Sequence, residues 1–190
     1  MKSFVTPALV ALISWLAVGG AQAQTLSVKP GLWASASTTR LNGSNMPTLF
    51  DVNGAMTPEQ RSSLTAAMSR LGLPAGSNLA LHCQRSDSYR LPAPQALEGC
   101  QVKVSPTNAT SGTIALSCSG KLQGSGRGSY EVTGRTAARQ QLSMEATSRG
   151  LPLKLEQSTV FKWLGDDCER LPAGIDPEMF AVEEADDSKR

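Results

Sequence analysis

His82 is the single histidine of the 190-residue chain, and that alone limits the chemistry on offer. Imidazole-based acid–base work, or a hydroxyl or thiol nucleophile with a histidine base, has one candidate and no second. His82 stands beside Cys83 in a stretch, Leu79–Gln84, that reads as a short strand, so the two side chains point to opposite faces. With no partner in view, a structural or surface role is the simpler reading. The carboxylates offer one further candidate. Asp166 and Asp167 follow Gly165 and precede Cys168. They could ligate a cation, but no Asp-rich calcium loop surrounds them, and a tight surface turn accounts for them. Gly124, Gly126 and Gly128 look like a phosphate cradle only in composition. The Gly-Lys-Ser/Thr step and the strand–loop–helix setting are missing. Alternating glycines before Tyr130 instead line one strand face where something packs closely: the helix, Trp33 or a ligand. The residues therefore point to no catalytic group, no cofactor and no metal. A hydrolase-type enzyme using His82 or the Asp166–Asp167 pair is the least favoured reading.

The four cysteines, Cys83, Cys100, Cys118 and Cys168, carry the strongest chemical signal. An even number with no C-x-x-C spacing reads as two disulfides in an oxidising compartment, each stabilising by about 2–4 kcal/mol. A hairpin register that sets Val104 opposite Ile114 places Val102 opposite Leu116 and Cys100 opposite Cys118, all on one face. Directly opposed side chains are close enough for a cross-strand bridge. That favours Cys100–Cys118 and leaves Cys83–Cys168. Cys83–Cys100 with Cys118–Cys168 stays open, because it closes the proline-bearing loop between Arg90 and Gly99.

The chain start explains the compartment. Lys2, a mostly apolar run from Val5 to Val18, and Ala21-Gln22-Ala23 match a secretory signal peptide cut after Ala23. The run is too short to span a membrane comfortably, and no cysteine marks a lipoprotein site. The expected organisation is a signal peptide at 1–23, one β-rich domain at 24–168, and an acidic, partly disordered tail at 169–190. Within the tail, Ile175–Val182 is suited to dock a turn, whereas Glu183–Arg190 reads as disordered. A formal net charge of +2 excludes a strongly basic nucleic-acid binder. No nucleic acid and no membrane span are expected, and the location is periplasmic.

The elements that must position these residues are mostly strands. Leu32–Leu41 reads as the first, ended by the Asn42-Gly43 turn. Gln101–Val104, Thr113–Cys118, Gly128–Thr133, Gln140–Thr147 and Leu153–Leu164 follow, with turns at Gly134 and Arg149-Gly150. Short strands at this spacing, with no helix between them, predict an antiparallel meander of about six to eight strands. The fold class is mainly β: a curved sheet or partly open barrel. The one helix, Pro58–Leu71, has Thr57 as its cap, Gln60 to complete a capping box, and Gly72 as its stop. Leu64, Ala67, Met68 and Leu71 give it a narrow apolar face for packing on the sheet. Aromatic side chains are few. Trp33 reads as a core anchor, and Phe161 and Trp163 share a strand face with Leu153 and Leu155. Trp33, Tyr130, Phe161 and Trp163 are the core or ligand-facing candidates.

One family matches this order of residues. Lys29-Pro30-Gly31-Leu32-Trp33, Cys83, Cys100, Cys118-Ser119-Gly120, Gly124-x-Gly126, Tyr130, Gly134 and Gly165-Asp166-Asp167-Cys168 follow a leader peptide. The chain resembles the exported proteobacterial domain-of-unknown-function family 3617, over about Leu26 to Cys168. It departs where Ala34 stands for the family's usual Glu, where Gln84-Arg85-Ser86-Asp87 replaces a Thr-Pro-Glu stretch, and in its acidic extension. The resemblance implies a small periplasmic or secreted domain and no particular reaction. The function expected is a non-enzymatic binding or accessory module for an apolar small molecule or an envelope protein. The alternative is a structural or stress-protective protein with no small-molecule ligand.

Overall fold

The computed structural model describes residues 24–48, 56–91, 99–176, 180 and 182–184. The leader segment at 1–23, most of the proline-bearing loop and the final residues 185–190 lie outside the described residues. The elements are β1 (Thr25–Ser27), β2 (Gly31–Leu41), β3 (Ser44–Asn45), α1 (Pro58–Arg70), β4 (Asn78–Gln84), β5 (Ser88–Arg90), β6 (Cys100–Pro106), β7 (Ser111–Ser119), β8 (Leu122–Thr133), β9 (Ala137–Ser148), β10 (Leu151–Gly165) and β11 (Val182–Glu184).

The fold is mainly β, and its centre is an antiparallel meander. β6 to β10 lie side by side in chain order, followed by β2, β4 and the parallel edge strand β11, with β3 paired to β2. The sheet is open, with β6 at one end and β11 at the other. Tight turns set the meander's registers. Asn42-Gly43, Gly134-Arg135 and Arg149-Gly150 each take two successive positive φ values, the backbone that two-residue hairpin loops need. β1 and β5 form a separate two-stranded flap.

Alternation gives the large sheet two different faces. On one, Leu32, Ala34, Ala36, Leu79 and Leu81 meet Leu64, Ala67 and Met68 of α1 in one buried cluster. Fully burying each large side chain there stabilises by about 1.5–3 kcal/mol. The helix begins as its sequence demands: the Thr57 hydroxyl accepts from Gln60 N, and the Gln60 side chain accepts from Thr57 N. The opposite, aromatic face carries Trp33, Tyr130 and Val132, covered by Leu26 and Val28 of the flap region.

Three expectations change. The strand expected over Gly128–Thr133 begins earlier, at Leu122, so the alternating glycines lie within β8. What crowds its glycines is not the helix, Trp33 or a ligand but the neighbouring strands. A Cβ at Gly124 would lie 2.2 Å from Glu145 O, and one at Gly126 would lie 3.0 Å from the Leu116 Cδ1. Arg90, expected to open the loop, instead ends a strand, Ser88–Arg90. Finally, Glu183 and Glu184, expected to be disordered, are strand, beyond the Ile175–Val182 stretch expected to dock. Ile175 and Phe180 are buried against the helix, and Val182–Glu184 pairs with Leu81–Cys83 of β4. Backbone bonding along a sheet edge is indifferent to the charge of the side chains, which is why composition misread this segment.

Candidate functional site

The cysteines pair as the hairpin register requires. Val104 faces Ile114, Val102 faces Leu116 and Cys100 faces Cys118, and the Cys100–Cys118 bridge closes the open end of that hairpin. Cys83–Cys168 ties β4 to the segment after β10. The Cys83–Cys100 alternative falls with that geometry.

Trp33, Tyr130, Phe161 and Trp163 come together in one cluster on the aromatic face. Their polar atoms are used for structure. Trp33 Nε1 donates to Lys29 O and Trp163 Nε1 to Pro30 O, both at 2.8 Å. The Lys29 ammonium lies 4.3 Å from the Trp163 ring centre, within cation–π range. The Tyr130 hydroxyl donates to Gln24 Oε1, and burial raises the phenol's pKa above its ordinary value. Under the flap these residues leave a cavity of about 50 Å³, bounded by Leu26, Tyr89, Tyr130 and Phe161 among others. That space suits a few water-sized groups, against the several hundred Å³ of an ordinary small-molecule pocket. His82 lines the same cavity, while Cys83 turns to the helix face, as alternation requires. Asp166 and Asp167 are exposed, and Asp167 Oδ1 accepts from Glu169 N at 2.9 Å, which makes them part of a turn. Among the described residues, no group of three His, Cys, Asp or Glu is placed to hold a metal ion. No helix there is long and apolar enough to cross a membrane.

A larger opening lies on the other face, beyond the helix. It is a groove of about 850 Å³ across β7, β8, β9, β10 and β2, reaching the chain at Met46, Thr48, Ala75 and Gly76. Two rows of side chains form its floor. Thr113, Ser129, Gln141, Ser158 and Thr38 are in register across the five strands. Two residues along, so are Ala115, Arg127, Ser143, Glu156 and Arg40. The side chains of Thr113, Arg127, Ser129, Gln141 and Ser143 make no hydrogen bond or ion pair among the described residues. Arg40 donates to Asn45 Oδ1 at 2.9 Å. Glu156 is already paired with Lys154 at 3.0 Å, so the second row presents net positive charge, extended by Lys103 opposite Ala115. Three strand spacings separate Arg127 from Arg40, about 14 Å along the sheet. Sequence reading did not find this groove. Most of its residues are ordinary polar strand positions, and only the pairing of five strands puts them in rows.

No curated protein and no solved structure matches the chain. A family model described as protein of unknown function, DUF3617, matches residues 28–168. That span runs from Val28 beneath the flap to Cys168 of the second disulfide, and it takes in both the aromatic cluster and the polar groove. The chain belongs to the DUF3617 family.

Proposed function

We propose that the chain is an exported, non-enzymatic binding module of the periplasm that takes an extended acidic segment of an envelope protein in its polar groove. The observation that carries this reading is the contrast between the two openings. The apolar cavity is about 50 Å³ and the polar groove about 850 Å³. An apolar small molecule therefore finds little room, whereas the groove offers the unengaged side chains of Thr113, Arg127, Ser129, Gln141 and Ser143. Hydroxyls and the Gln141 amide suit the N–H and C=O groups of an extended backbone. Arg127, Arg40 and Lys103 suit its carboxylates. Sugar rings are usually held by stacking on aromatic side chains, and here Trp33, Tyr130, Phe161 and Trp163 cluster on the opposite face, which favours polypeptide over glycan. Export is supported by the leader pattern at 1–23 and by two disulfides. The non-enzymatic reading is supported by the placement of His82 in an apolar cavity and of Asp166 and Asp167 in an exposed turn.

The test is an NMR titration of the isotope-labelled protein with a Glu-Ser repeat peptide, and with Lys-Ser and Gln-Ser repeats as controls. The expected result is shifts at the amides of Thr113, Ser129, Gln141 and Ser158 with the acidic peptide alone. Arg127→Ala should weaken binding about tenfold, the loss of one charged hydrogen bond. Shifts confined to the aromatic face, equal binding of all three peptides, or indifference to Arg127→Ala would overturn the proposal.

A further inference from the structure

Gln24 is the first residue left after the expected cut behind Ala23, and the fold holds its side chain at both ends. Gln24 Nε2 donates to Asn108 O at 2.8 Å, in the turn between β6 and β7. Gln24 Oε1 accepts from the Tyr130 hydroxyl of β8. Its backbone carbonyl accepts from Leu91 N at 3.1 Å, just past β5. The flap is otherwise joined to the large sheet by no strand ladder. Gln24 is thus a latch at the flap's free end, and Lys29 N, bonded to Arg135 O at 2.9 Å, is near its root.

A chain-terminal glutamine has its own chemistry. The free α-amine attacks the side-chain Cδ, a C–N bond forms, the Cδ–Nε2 bond breaks, and Nε2 leaves as ammonia with a transferred proton. The product is a pyroglutamyl ring with no oxidant, reductant or further reactant consumed. We propose that Gln24 is a fold-protected modification site, at which cyclisation is held back while the flap is latched and irreversibly releases the latch once it occurs. Cδ must swing back to its own nitrogen to react, and that motion breaks the bonds to Asn108 O and Tyr130. The cyclised residue has no Nε2 to give to Asn108 O. The flap then loses the Gln24 tie at its free end and keeps the one at its root, where Arg135 Nη2 donates to Val28 O at 3.0 Å. The inference rests on the export reading through the position of the cut, and it is independent of the polar groove.

The experiment uses the full chain exported to a bacterial periplasm and then purified. Mass analysis first reads the N-terminal peptide. A peptide beginning at Gln24 supports the proposal. One beginning elsewhere overturns it and the expected cut together, while leaving the groove titration untouched. The protein is then incubated at neutral pH, and loss of ammonia is followed over time, with and without 8 M urea. The native protein should cyclise about tenfold more slowly than the unfolded chain, because two hydrogen bonds must open first. Tyr130→Phe keeps the ring and removes one bond, and it should cyclise faster than the parent in the folded state. Equal rates in the native and unfolded chain, or a terminus already cyclised at harvest, would overturn the proposal. The urea comparison stands on the unaltered sequence, so it decides even if Tyr130→Phe folds poorly.

Discussion

The alternating glycines of β8 should be far from equivalent to one another, and a four-member alanine series measures how tightly the sheet closes on that strand. At Gly124 an added Cβ would meet Glu145 O at 2.2 Å and the Ala146 Cα at 2.5 Å. At Gly128 it would meet Gln141 O at 2.3 Å. These are backbone atoms of β9, so relief requires the two strands to separate by about 1 Å, disturbing several ladder bonds worth about 1 kcal/mol each. The expected cost of Gly124→Ala or Gly128→Ala is about 3 kcal/mol, the upper part of the range for overpacking. At Gly126 the nearest atom is the Leu116 Cδ1 at 3.0 Å, a side-chain end that can rotate, although Ser143 O stands equally near. Gly126→Ala should cost about 1 kcal/mol. Gly165 has nothing within 4 Å of the added atom, so Gly165→Ala should fall within about 0.5 kcal/mol of the parent. Urea unfolding followed by fluorescence of Trp33 and Trp163 reports the series. With a slope of about 2 kcal/mol/M, the first two variants should lose about 1.5 M in midpoint. A Gly124→Ala midpoint within about 0.25 M of the parent, or a Gly165→Ala loss as large as that of Gly124→Ala, would refute the reasoning.

Other perturbations follow from the bonds described. The two bridges close loops of 85 and 18 residues. Replacing Cys83 and Cys168 by serine should therefore cost about 4.5 kcal/mol, against about 3 for Cys100 and Cys118; urea midpoints under non-reducing conditions rank the pair. Thr57→Ala removes the helix cap and should cost about 1 kcal/mol. Glu59 offers a pH reading of the same turn. Its backbone N–H, and then the Thr57 hydroxyl, hold its carboxyl below the ordinary value. The stability linked to it is present above that ordinary value and is lost as pH falls through the lower folded one. A carboxyl NMR titration should show Glu59 moving upward in Thr57→Ala. Tyr130 has the opposite sign. Burial raises its pKa, so the unfolded chain ionises first and stability falls as pH rises past about 10. Unfolding midpoints taken across that alkaline range should lose this slope in Tyr130→Phe.

What the sequence made legible is local or strictly periodic. Alternation placed Ile114, Leu116 and Cys118 on one face, and pairing them with Val104, Val102 and Cys100 yields the observed bridge. The helix announced itself through Thr57, Pro58 and Gln60, whose capping bonds need only neighbouring residues. Three kinds of feature escaped. β1 and β5 are three residues each, too short for a period to appear, and they exist because Leu26 and Tyr89 are paired over the aromatic cluster. The first half of β8, Leu122–Arg127, has little strand propensity, since glycine and serine disfavour the extended state by composition. It is strand because β7 and β9 hold both its edges. In the tail, Ile175 and Phe180 pack within the stretch expected to dock, and what escaped is the pairing of Glu183 and Glu184 with β4.

The sheet's two faces divide the labour, and that division shapes what this domain is suited to do. The two disulfides help a chain with few aromatics stay folded, but they say nothing about recognition. Recognition needs groups that folding leaves unspent. Around the aromatic cluster the polar atoms are spent: both indole N–H groups, the Tyr130 hydroxyl and the Gln24 amide are all bonded within the chain. Thr159 is also bonded, with Ser37 at 3.0 Å. On the helix face, past the end of α1, the donors of Arg127, Ser129, Gln141 and Ser143 remain available. A partner meeting the first face would have to break existing bonds, whereas one meeting the second displaces only water from groups already aligned on rigid strands. That asymmetry is the physical reason to look for the partner in the groove, and to regard the flap as a device that keeps the aromatic face closed.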